Sequence, residues 1–367
     1  MPALPDFPWD SLAPFAARAR AHAEGIVDLS VGSPVDPTPE VVRTALIAAT
    51  DAHSYPQTMG TLALREAIVR WYARRRGVTL PGVDAVLPTI GSKELVALLP
   101  LLLDVGAGDT VVHPETAYPT YAVGAAIAGA RALGADDPAD WPAGTKLVWL
   151  NSPGNPTGSV LDAGALRARV EAARSLGAVI VNDECYAELG WKAPFSDRPV
   201  TSILESDALG DGDAGLANVL SVYSLSKQSN LAGYRAAFVA GDPALIARIL
   251  AVRKHAGLIP PAPVQAAMVA ALDDDAHVAE QKARYARRRG MLVTALTEAG
   301  FSIDHSEAGL YLWVTRGEPA LETIAWLAER GILAAPGTFY EGERSQHVRI
   351  ALTATDERIA AAASRLR

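Results

Sequence analysis

The sequence predicts an α/β protein with a mainly parallel sheet. Short apolar runs recur through the middle of the chain and alternate with segments typical of helices, such as Ala163–Ser175. The runs are continuously apolar instead of alternating, which is expected of strands covered on both faces in a parallel sheet. The predicted strands are 85–90, 110–113, 146–150, 178–182, 219–223 and 236–240.

The length of 367 residues exceeds what one compact core usually accommodates. The pattern changes near residue 252, where a proline cluster at 260–263 precedes a long helical pattern that continues to about residue 299. We therefore predict a large domain at 46–252 and a smaller α+β domain formed by 1–45 together with 253–367. The last third should contain strands at 301–304, 309–315 and 347–352 and a helix at 321–330, and the Gly/Asp/Ala-rich stretch 209–217 should be a loop.

Composition excludes several classes of function. The formal net charge of -8 argues against nucleic acid and a membrane surface as partners. Cys185 is the single cysteine, so neither an intramolecular disulfide nor a cysteine metal cluster can form, and the seven histidines lack metal-ligand spacing. No signal peptide or membrane-spanning stretch is recognisable, so we expect a cytoplasmic protein without a metal.

One candidate catalytic residue is Lys227, in the segment SLSK directly after the predicted strand 219–223. A lysine at a strand end can form a Schiff base with an aldehyde when its amine is neutral. The hydroxyls of Ser224 and Ser226 and the guanidinium of Arg235 suit a phosphate dianion. The alternative is a serine-rich loop with a solvated lysine.

Asp183 stands at the end of the very apolar run VIVND. A carboxylate at such a place is costly unless it meets a cation or hydrogen-bond donors, and a protonated pyridine nitrogen would be such a cation. Tyr186 follows three residues later and could donate to a phenolate oxygen. The alternative is an aspartate that caps the next helix.

Two further segments carry constrained or phosphate-binding patterns. NSPGNPTG, at 151–158, predicts a rigid loop after a strand, and its second asparagine, Asn155, can present its amide to a ligand; the alternative is an ordinary turn. In TIGSKE, a glycine followed by Ser92 at a helix start exposes backbone N–H groups to a phosphate. Taken alone, this second segment is more typical of a simple N-cap, and Lys93 could be a solvated lysine in the first turn.

The order of these motifs resembles that of the fold-type I aminotransferases of classes I and II. Asn155 and Asp183 are 28 positions apart and Lys227 and Arg235 are 8 apart, and both spacings agree with the family pattern. The resemblance extends from about Asp28 to the C-terminus. It implies the fold of pyridoxal-phosphate-dependent transferases, with pyridoxal 5′-phosphate bound in the large domain, and a transfer of amino groups between amino acids and 2-oxo acids.

The resemblance also implies roles for individual residues. Lys227 would bind the cofactor aldehyde and carry the proton between substrate and cofactor, and Asp183 would hold the pyridinium. Asn155 and Tyr186 would bond the O3′ oxygen of the ring. Tyr118 would stack on the pyridine, unless it is a tyrosine packed in a loop. The residues expected around the phosphate are Ser92, Lys93, Ser224 and Arg235.

Three more matches concern substrate and assembly. Arg349, in HVRIAL, resembles the arginine that binds the substrate α-carboxylate; it could equally be a structural ion-pair partner. Gly32 resembles the glycine whose backbone closes over that carboxylate. Tyr55 resembles the tyrosine that reaches the phosphate of the neighbouring subunit, which implies a homodimer with shared active sites, and is otherwise an aromatic residue in a turn.

Longer segments resemble the actinobacterial type of N-succinyldiaminopimelate aminotransferase, among them LSVGSPVDPTPE and PETAYPTYAVGA. This resemblance implies N-succinyl-LL-2,6-diaminopimelate and 2-oxoglutarate as substrates, in the biosynthesis of lysine and diaminopimelate. The alternatives are an aminotransferase for an aspartate-, aromatic- or alanine-type donor and a β-elimination lyase of the same fold. A non-enzymatic regulator is a further alternative, but it would be expected to carry an added DNA-binding domain.

Overall fold

The computed structural model describes residue 4, residues 7–210 and residues 214–367. The strands in these ranges are β1 (Val27–Asp28), β2 (Val86–Ile90), β3 (Thr110–His113), β4 (Arg131–Gly134), β5 (Thr145–Asn151), β6 (Val179–Asp183), β7 (Val219–Ser224), β8 (Ala236–Gly241), β9 (Ser302–Asp304), β10 (Tyr311–Thr315), β11 (Ile332–Leu333), β12 (Ala335–Pro336) and β13 (His347–Ala351). The α-helices are α1 (Ala13–Arg20), α2 (Glu40–Ala48), α3 (Leu62–Arg76), α4 (Ser92–Leu102), α5 (Thr120–Ala128), α6 (Ala163–Ser175), α7 (Ser206–Leu209), α8 (Leu225–Gln228), α9 (Pro243–Ala256), α10 (Ala262–Asp273), α11 (Ala276–Glu298), α12 (Ala320–Glu329), α13 (Thr338–Glu341) and α14 (Asp356–Leu366). Short 3-10 helices occupy Pro8–Leu12, Val83–Ala85, Pro138–Asp140 and Ala232–Tyr234.

The large sheet has seven strands in the order β2-β8-β7-β6-β5-β3-β4. β8 is antiparallel to both of its neighbours, and the remaining pairs are parallel. The predicted α/β class with a mainly parallel sheet is therefore confirmed. The six predicted strands agree with β2, β3, β5, β6, β7 and β8 to within one residue at each end.

Apolar side chains cover both faces of this sheet, which explains why its strands are continuously apolar. On one face the buried core includes Trp71 of α3, Val170 of α6 and Met268 of α10. On the other face it includes Leu99 of α4 and Ile249 of α9. With its faces closed by helices, the sheet leaves its carboxyl edge as the place where a ligand can approach.

That edge brings three predicted motifs together. β5 ends at Asn151, β6 ends at Asp183 and β7 ends at Ser224. β5 and β6 pair in parallel with Asn151 beside Asp183. The parallel pairing therefore places the NPTG loop, the buried carboxylate and the SLSK segment side by side.

The second sheet is antiparallel, with the order β12-β13-β10-β9. Its core includes apolar residues of α11, α12 and α14. The N-terminal segment joins it: β1 pairs in parallel with β11, and the Ala351 N–H donates to the Leu29 carbonyl at 2.9 Å. β13 carries Arg349 at the centre of this sheet.

The structure corrects two expectations. β4 was missed, because it is a largely exposed edge strand and its sequence, RALG, lacks both β-branched residues and an apolar run. The helical pattern that continues to residue 299 divides into α10 and α11. Asp274 has an extended backbone, and its carboxylate accepts hydrogen bonds from the N–H groups of Ala276 at 2.7 Å and His277 at 3.2 Å, so a new helix begins there.

The division into two domains remains a proposal. Helix α9 continues through residue 252, and α10 packs against α2 and α3 beside the large sheet. This packing favours a boundary after Asp273 over one at 252. The predicted loop at 209–217 lies partly outside the described residues; α7 ends at Leu209 and a turn begins at Ala214. None of the described helices combines the length and the apolar character needed to cross a membrane.

Candidate active site

A cavity of about 530 Å³ opens at the carboxyl edge of the large sheet, between this sheet and the second one. All predicted site residues except Tyr55 line it, as does Ser226. The charged side chains in its lining are one carboxylate, Asp183, and four cations, Lys93, Lys227, Arg235 and Arg349. The excess of positive charge suits an anionic ligand.

Lys227 lies in the single turn of α8, directly after β7, and its side chain enters the cavity. Its Nζ donates a hydrogen bond to the carbonyl oxygen of Gly32, which belongs to the N-terminal segment. Burial lowers the pKa of Lys227, and the positive charges of Arg349 and Arg235 act in the same direction. The neutral amine, which is the nucleophilic form, is therefore favoured.

Asp183 is buried at the end of β6, with 7% of its surface exposed. Its carboxylate accepts hydrogen bonds from the Tyr121 hydroxyl at 3.0 Å and from the Cys185 N–H at 3.2 Å. Burial raises the pKa of Asp183, although these hydrogen bonds partly offset the effect. A cation in the cavity would stabilise the ionised form of this carboxylate.

Asn151 fixes the loop that carries Asn155. Its side-chain Nδ2 donates to the backbone carbonyl of Asp183 at 2.9 Å, and its side-chain Oδ1 accepts from the backbone N–H of Asn155 at 2.8 Å. One side chain thus holds the NPTG loop against the end of β6. Asn151 and Tyr121 were not predicted as site residues, although both lie within segments that the sequence marks as motifs.

The residues predicted to bind a phosphate come from three segments of the chain. Ser92 is the first residue of α4, where backbone N–H groups are free to bind an anion. The Ser224 and Ser226 hydroxyls are 2.9 Å apart. The guanidinium of Arg235 packs on Gly91, where a Cβ atom would lie 2.2 Å from the nearest guanidinium nitrogen. Because Gly91 has a φ of +76°, both its backbone and this contact require glycine.

Arg349, on β13 of the second sheet, lines the cavity and is buried, with 3% of its surface exposed. Its guanidinium donates to Asn155 Oδ1 at 3.0 Å and to the Ser30 carbonyl at 2.6 Å. It lies 4.0 Å from the centre of the Tyr311 ring and 5.0 Å from that of Tyr340. Its Nε is buried without a hydrogen-bond partner among the described residues.

Aromatic side chains form the rim of the cavity. Phe7 and Trp9 of the N-terminal segment line it and stack at 5.5 Å. The Lys93 ammonium lies 5.6 Å from the centre of the Phe7 ring and 5.9 Å from that of Tyr118. A second, mostly apolar cavity of about 410 Å³ shares Tyr118 with the first. None of these aromatic residues except Tyr118 was predicted, because the sequence does not show where the N-terminal segment folds.

Tyr186 lines the cavity three residues after Asp183, as predicted, and meets a residue that was not predicted. Its hydroxyl lies 3.4 Å from the hydroxyl of Tyr311, on β10. Burial raises the pKa of Tyr186 well above its ordinary value. For Tyr311 burial acts in the same direction, but the positive charges of Arg349 and of protonated Lys227, together with the hydrogen bond with Tyr186, outweigh it and lower the pKa.

Tyr55 lies outside this cavity, in the segment between α2 and α3, and its side chain is fully exposed. Its predicted contact with the site of a neighbouring subunit therefore remains a prediction. Among the described residues, no group of three or more histidine, cysteine, aspartate or glutamate side chains could hold a metal ion.

The lining fits pyridoxal 5′-phosphate. Ser92, Ser224 and Arg235 offer two hydroxyls and a guanidinium that suit a phosphate, and the buried carboxylate of Asp183 could meet a pyridinium. Lys227 offers an amine, and the cavity is large enough for the cofactor together with a substrate.

Comparisons with known proteins agree with this arrangement. Residues 24–366 match the sequence pattern of the family described as aminotransferase class I and II. The chain is 58% identical to the 4-dedimethylamino-4-oxo-anhydrotetracycline transaminase OxyQ of Streptomyces rimosus, over 99% of both chains. It is 57% identical to the probable aminotransferase Rv1178 of Mycobacterium tuberculosis, over 99% of this chain and 85% of the relative.

A solved structure has the same fold. It is described as a probable N-succinyldiaminopimelate aminotransferase from Thermus thermophilus. The two chains are 31% identical and superpose with a TM-score of 0.86, over 98% of this chain and 99% of the other.

Proposed function

The chain belongs to the class I and II aminotransferases, and from that premise we propose that it transfers an amino group between N-succinyl-LL-2,6-diaminopimelate and 2-oxoglutarate, with Lys227 as the catalytic lysine. The family uses pyridoxal 5′-phosphate, which is therefore the cofactor of this chain. When bound, the cofactor acts as an electron sink for the carbanion formed at the substrate Cα. The observation that carries the catalytic part of the proposal is that Lys227 and Asp183 face one cavity.

Lys227 would act twice in this reaction. Its Nζ would hold the cofactor aldehyde covalently before the substrate amine takes its place. The released amine would then remove the proton from the substrate Cα and deliver it to the cofactor. The lowered pKa of Lys227 supports this role, because only a neutral amine can accept a proton.

Asp183 and Arg349 would orient the two reaction partners. The Asp183 carboxylate would pair with the pyridine nitrogen, and Asn155 and Tyr186 would hold the O3′ oxygen. A guanidinium has five N–H donors, and Arg349 uses two of them for Asn155 and Ser30, so three remain for a substrate α-carboxylate.

The succinylated substrate has a second support besides the resemblance to the Thermus relative. Its far end carries further carboxylates, which need a cation near the mouth of the cavity. Of the four cations in the lining, Lys227, Arg235 and Arg349 have roles at the cofactor or the α-carboxylate. Lys93 is expected near the phosphate from the family resemblance, but it lies at the aromatic rim beside Phe7 and Tyr118, where its ammonium could also meet a distal carboxylate.

A second candidate is transamination of a bulky polycyclic ketone. OxyQ, the relative at 58% identity, is described as a transaminase of a tetracycline precursor that carries a 4-oxo group. Phe7, Trp9 and Tyr118 at the rim, with the apolar cavity beside Tyr118, form a surface suited to a planar aromatic ligand.

Steady-state kinetics with both substrate classes distinguish the candidates. For the first, N-succinyl-LL-2,6-diaminopimelate with 2-oxoglutarate should give a kcat/KM of at least ~10⁴ M⁻¹s⁻¹, the lower end of the range typical of enzymes acting on their own substrates. The 4-oxo-anhydrotetracycline precursor with glutamate should be at least ~100-fold poorer. The reverse order would discard the diaminopimelate substrate and keep the aminotransferase.

Lys93→Gln tests the distal contact. It should raise the KM for the succinylated donor about tenfold and leave the affinity for pyridoxal 5′-phosphate unchanged. Lys146→Gln removes the same charge from an exposed position of β5 and serves as the control. A loss of cofactor affinity with an unchanged KM would instead place Lys93 at the phosphate.

A further inference from the structure

The Tyr311 hydroxyl lies where three parts of the site meet. It is 3.4 Å from the Tyr186 hydroxyl, and the two rings meet nearly edge to face at 5.7 Å. On another side it lies against Gly32: a Cβ atom built on this glycine would be 2.1 Å from the hydroxyl oxygen. The Gly32 carbonyl in turn accepts the hydrogen bond from Lys227 Nζ.

The Tyr311 ring has a separate contact. The Arg349 guanidinium lies over the ring at 4.0 Å from its centre, a distance typical of a stacked cation–π pair. The ring thus supports the α-carboxylate arginine, while the hydroxyl faces Tyr186 and Gly32. A substitution that removes only the oxygen can separate the two contributions.

We propose that the Tyr311 hydroxyl is a positioning group for the transamination, because it donates a hydrogen bond to Tyr186 and thereby turns the Tyr186 O–H toward the cofactor O3′. The proposal rests on the proposed function of this site. Between two hydroxyls only one proton can occupy the shared hydrogen bond. If Tyr311 supplies it, the proton of Tyr186 is free to point into the cavity.

The charges around the pair favour this direction. The titratable and charged groups around Tyr311 include Tyr186, Lys227, Arg349, Cys185, Tyr285 and Tyr340. The Arg349 guanidinium, stacked on the Tyr311 ring, makes Tyr311 the more acidic of the two phenols, and the more acidic hydroxyl is the better donor. The hydrogen bond also polarises Tyr186 and strengthens its own donation to a phenolate oxygen.

Tyr311→Phe keeps the ring and removes the oxygen. In the cofactor-loaded enzyme, kcat should fall about tenfold, the scale of one lost hydrogen bond, while the KM for the amino donor stays within about twofold because Arg349 keeps its support. The pH midpoint of the visible absorption of the bound cofactor should rise. A weaker hydrogen bond to O3′ stabilises its deprotonated form less, so the proton is lost at higher pH.

A double-mutant cycle shows whether Tyr311 acts through Tyr186. Tyr186→Phe alone should lower kcat and raise the same midpoint, and adding Tyr311→Phe should change neither further. Tyr285→Phe removes a buried hydroxyl outside the cavity that has no hydrogen-bond partner among the described residues, so it is the matched control and should leave all values unchanged.

Three results would overturn the inference: an unchanged spectrum and kcat in Tyr311→Phe, an equal further loss in the Tyr186→Phe background, or a rise in KM alone. These results are distinguishable from a failure of the proposed function. If the wild-type enzyme shows no visible band from a covalently bound cofactor, the function assigned to Lys227 fails. If the wild-type enzyme shows this band and Tyr311→Phe has the same spectrum and kcat, only the role of Tyr311 fails.

Discussion

Lys227 combines two properties that oppose each other in a folded protein. It is a cationic residue by default, yet its Nζ lies in a cavity with two arginines, where the neutral amine is favoured. Keeping such a lysine lowers the stability of the cofactor-free protein, because the charged form loses hydration on folding. The reaction needs this amine, so the loss of stability is expected to be tied to function.

The lowered pKa of Lys227 predicts a pH dependence of stability. Below the lowered pKa, both the folded and the unfolded chain carry the proton on Lys227. Between that pKa and the ordinary value of 10.5, only the unfolded chain carries it, so this group makes the free energy of unfolding rise with pH in that window. Lys227→Met removes the group and should stabilise the cofactor-free protein most at low pH, with an advantage that shrinks as pH approaches 10.5.

Chemical denaturation of both cofactor-free proteins between pH 7 and pH 10 measures this difference. Lys146→Met, at an exposed strand position, controls for the loss of a lysine as such. An advantage of Lys227→Met that stays constant or grows with pH would contradict the assigned direction.

At the scale of single residues, the sequence showed which side chains could take part in the reaction, but it did not show which residues distant in the chain contact them. Lys227, Asp183 and Asn155 could be found because each follows a strand and belongs to a recognisable motif. Tyr311 could not, since its contacts are with Gly32 and Tyr186, far away in the chain, and its segment, GLYLWV, looks like any buried strand. The one sign in the sequence was the Tyr311 hydroxyl itself, because a hydroxyl buried in an apolar strand needs a hydrogen-bond partner.

The strands that carry site residues end at the cavity, and helix α4 begins there. β5, β6 and β7 each present a polar residue at their carboxyl ends, and α4 starts at the same edge after a single glycine. Such a site depends on a few backbone positions that tolerate no side chain. Gly91 is the clearest, because it joins β2 to α4 and lies under the Arg235 guanidinium.

Gly91→Ala should therefore weaken cofactor binding. The added methyl group meets the guanidinium and moves it away from the phosphate group, and the positive φ adds strain of order 1–3 kcal/mol. We expect the Kd for pyridoxal 5′-phosphate to rise at least ~10-fold, measured by titration of the cofactor-free protein.

Gly177→Ala is the matched control, because Gly177 also has a positive φ, +64°, but no atom lies within 4 Å of an added Cβ. It should lower thermal stability by a similar kind of strain and leave the Kd unchanged. Equal affinities of the two variants would show that Arg235 does not need its contact with Gly91.

Strand positions were predictable because burial on both faces gives long apolar runs. The prediction failed where this signal is missing, at the exposed edge strand β4, and where a short polar linker interrupts a helical pattern, between α10 and α11. The sequence also did not predict the 3-10 helix Pro8–Leu12. Trp9 in this helix and Phe7 just before it reach the cavity through contacts made only after folding.

At the scale of the whole molecule, Tyr55 is the predicted site residue that the chain does not bring to its own cavity. A fully exposed tyrosine that belongs to the site of another copy would make the active sites shared. The homodimer remains a proposal, typical of the family. It has a sharp consequence, since each site would need Lys227 from one copy and Tyr55 from the other.

Complementation tests this sharing. Lys227→Ala homodimers should be inactive, and Tyr55→Ala homodimers should bind the cofactor weakly. A mixed dimer of the two variants would contain one doubly altered site and one intact site, so co-expression should restore about half of the wild-type activity per mixed dimer. Activity of the mixture that equals the average of the two homodimers would show that Tyr55 and Lys227 do not share a site.

The visible spectrum of the cofactor-loaded protein, recorded before and after addition of N-succinyl-LL-2,6-diaminopimelate without any oxo acid, tests both the covalent bond to Lys227 and the amino donor. We expect a band of cofactor bound covalently to Lys227, which this donor converts to the pyridoxamine form. Lys227→Ala should lack the band. Conversion by glutamate but not by the succinylated donor would remove the substrate and leave the aminotransferase. A folded, cofactor-loaded wild-type protein without the covalent band, or a Lys227→Ala protein that keeps it, would contradict the account.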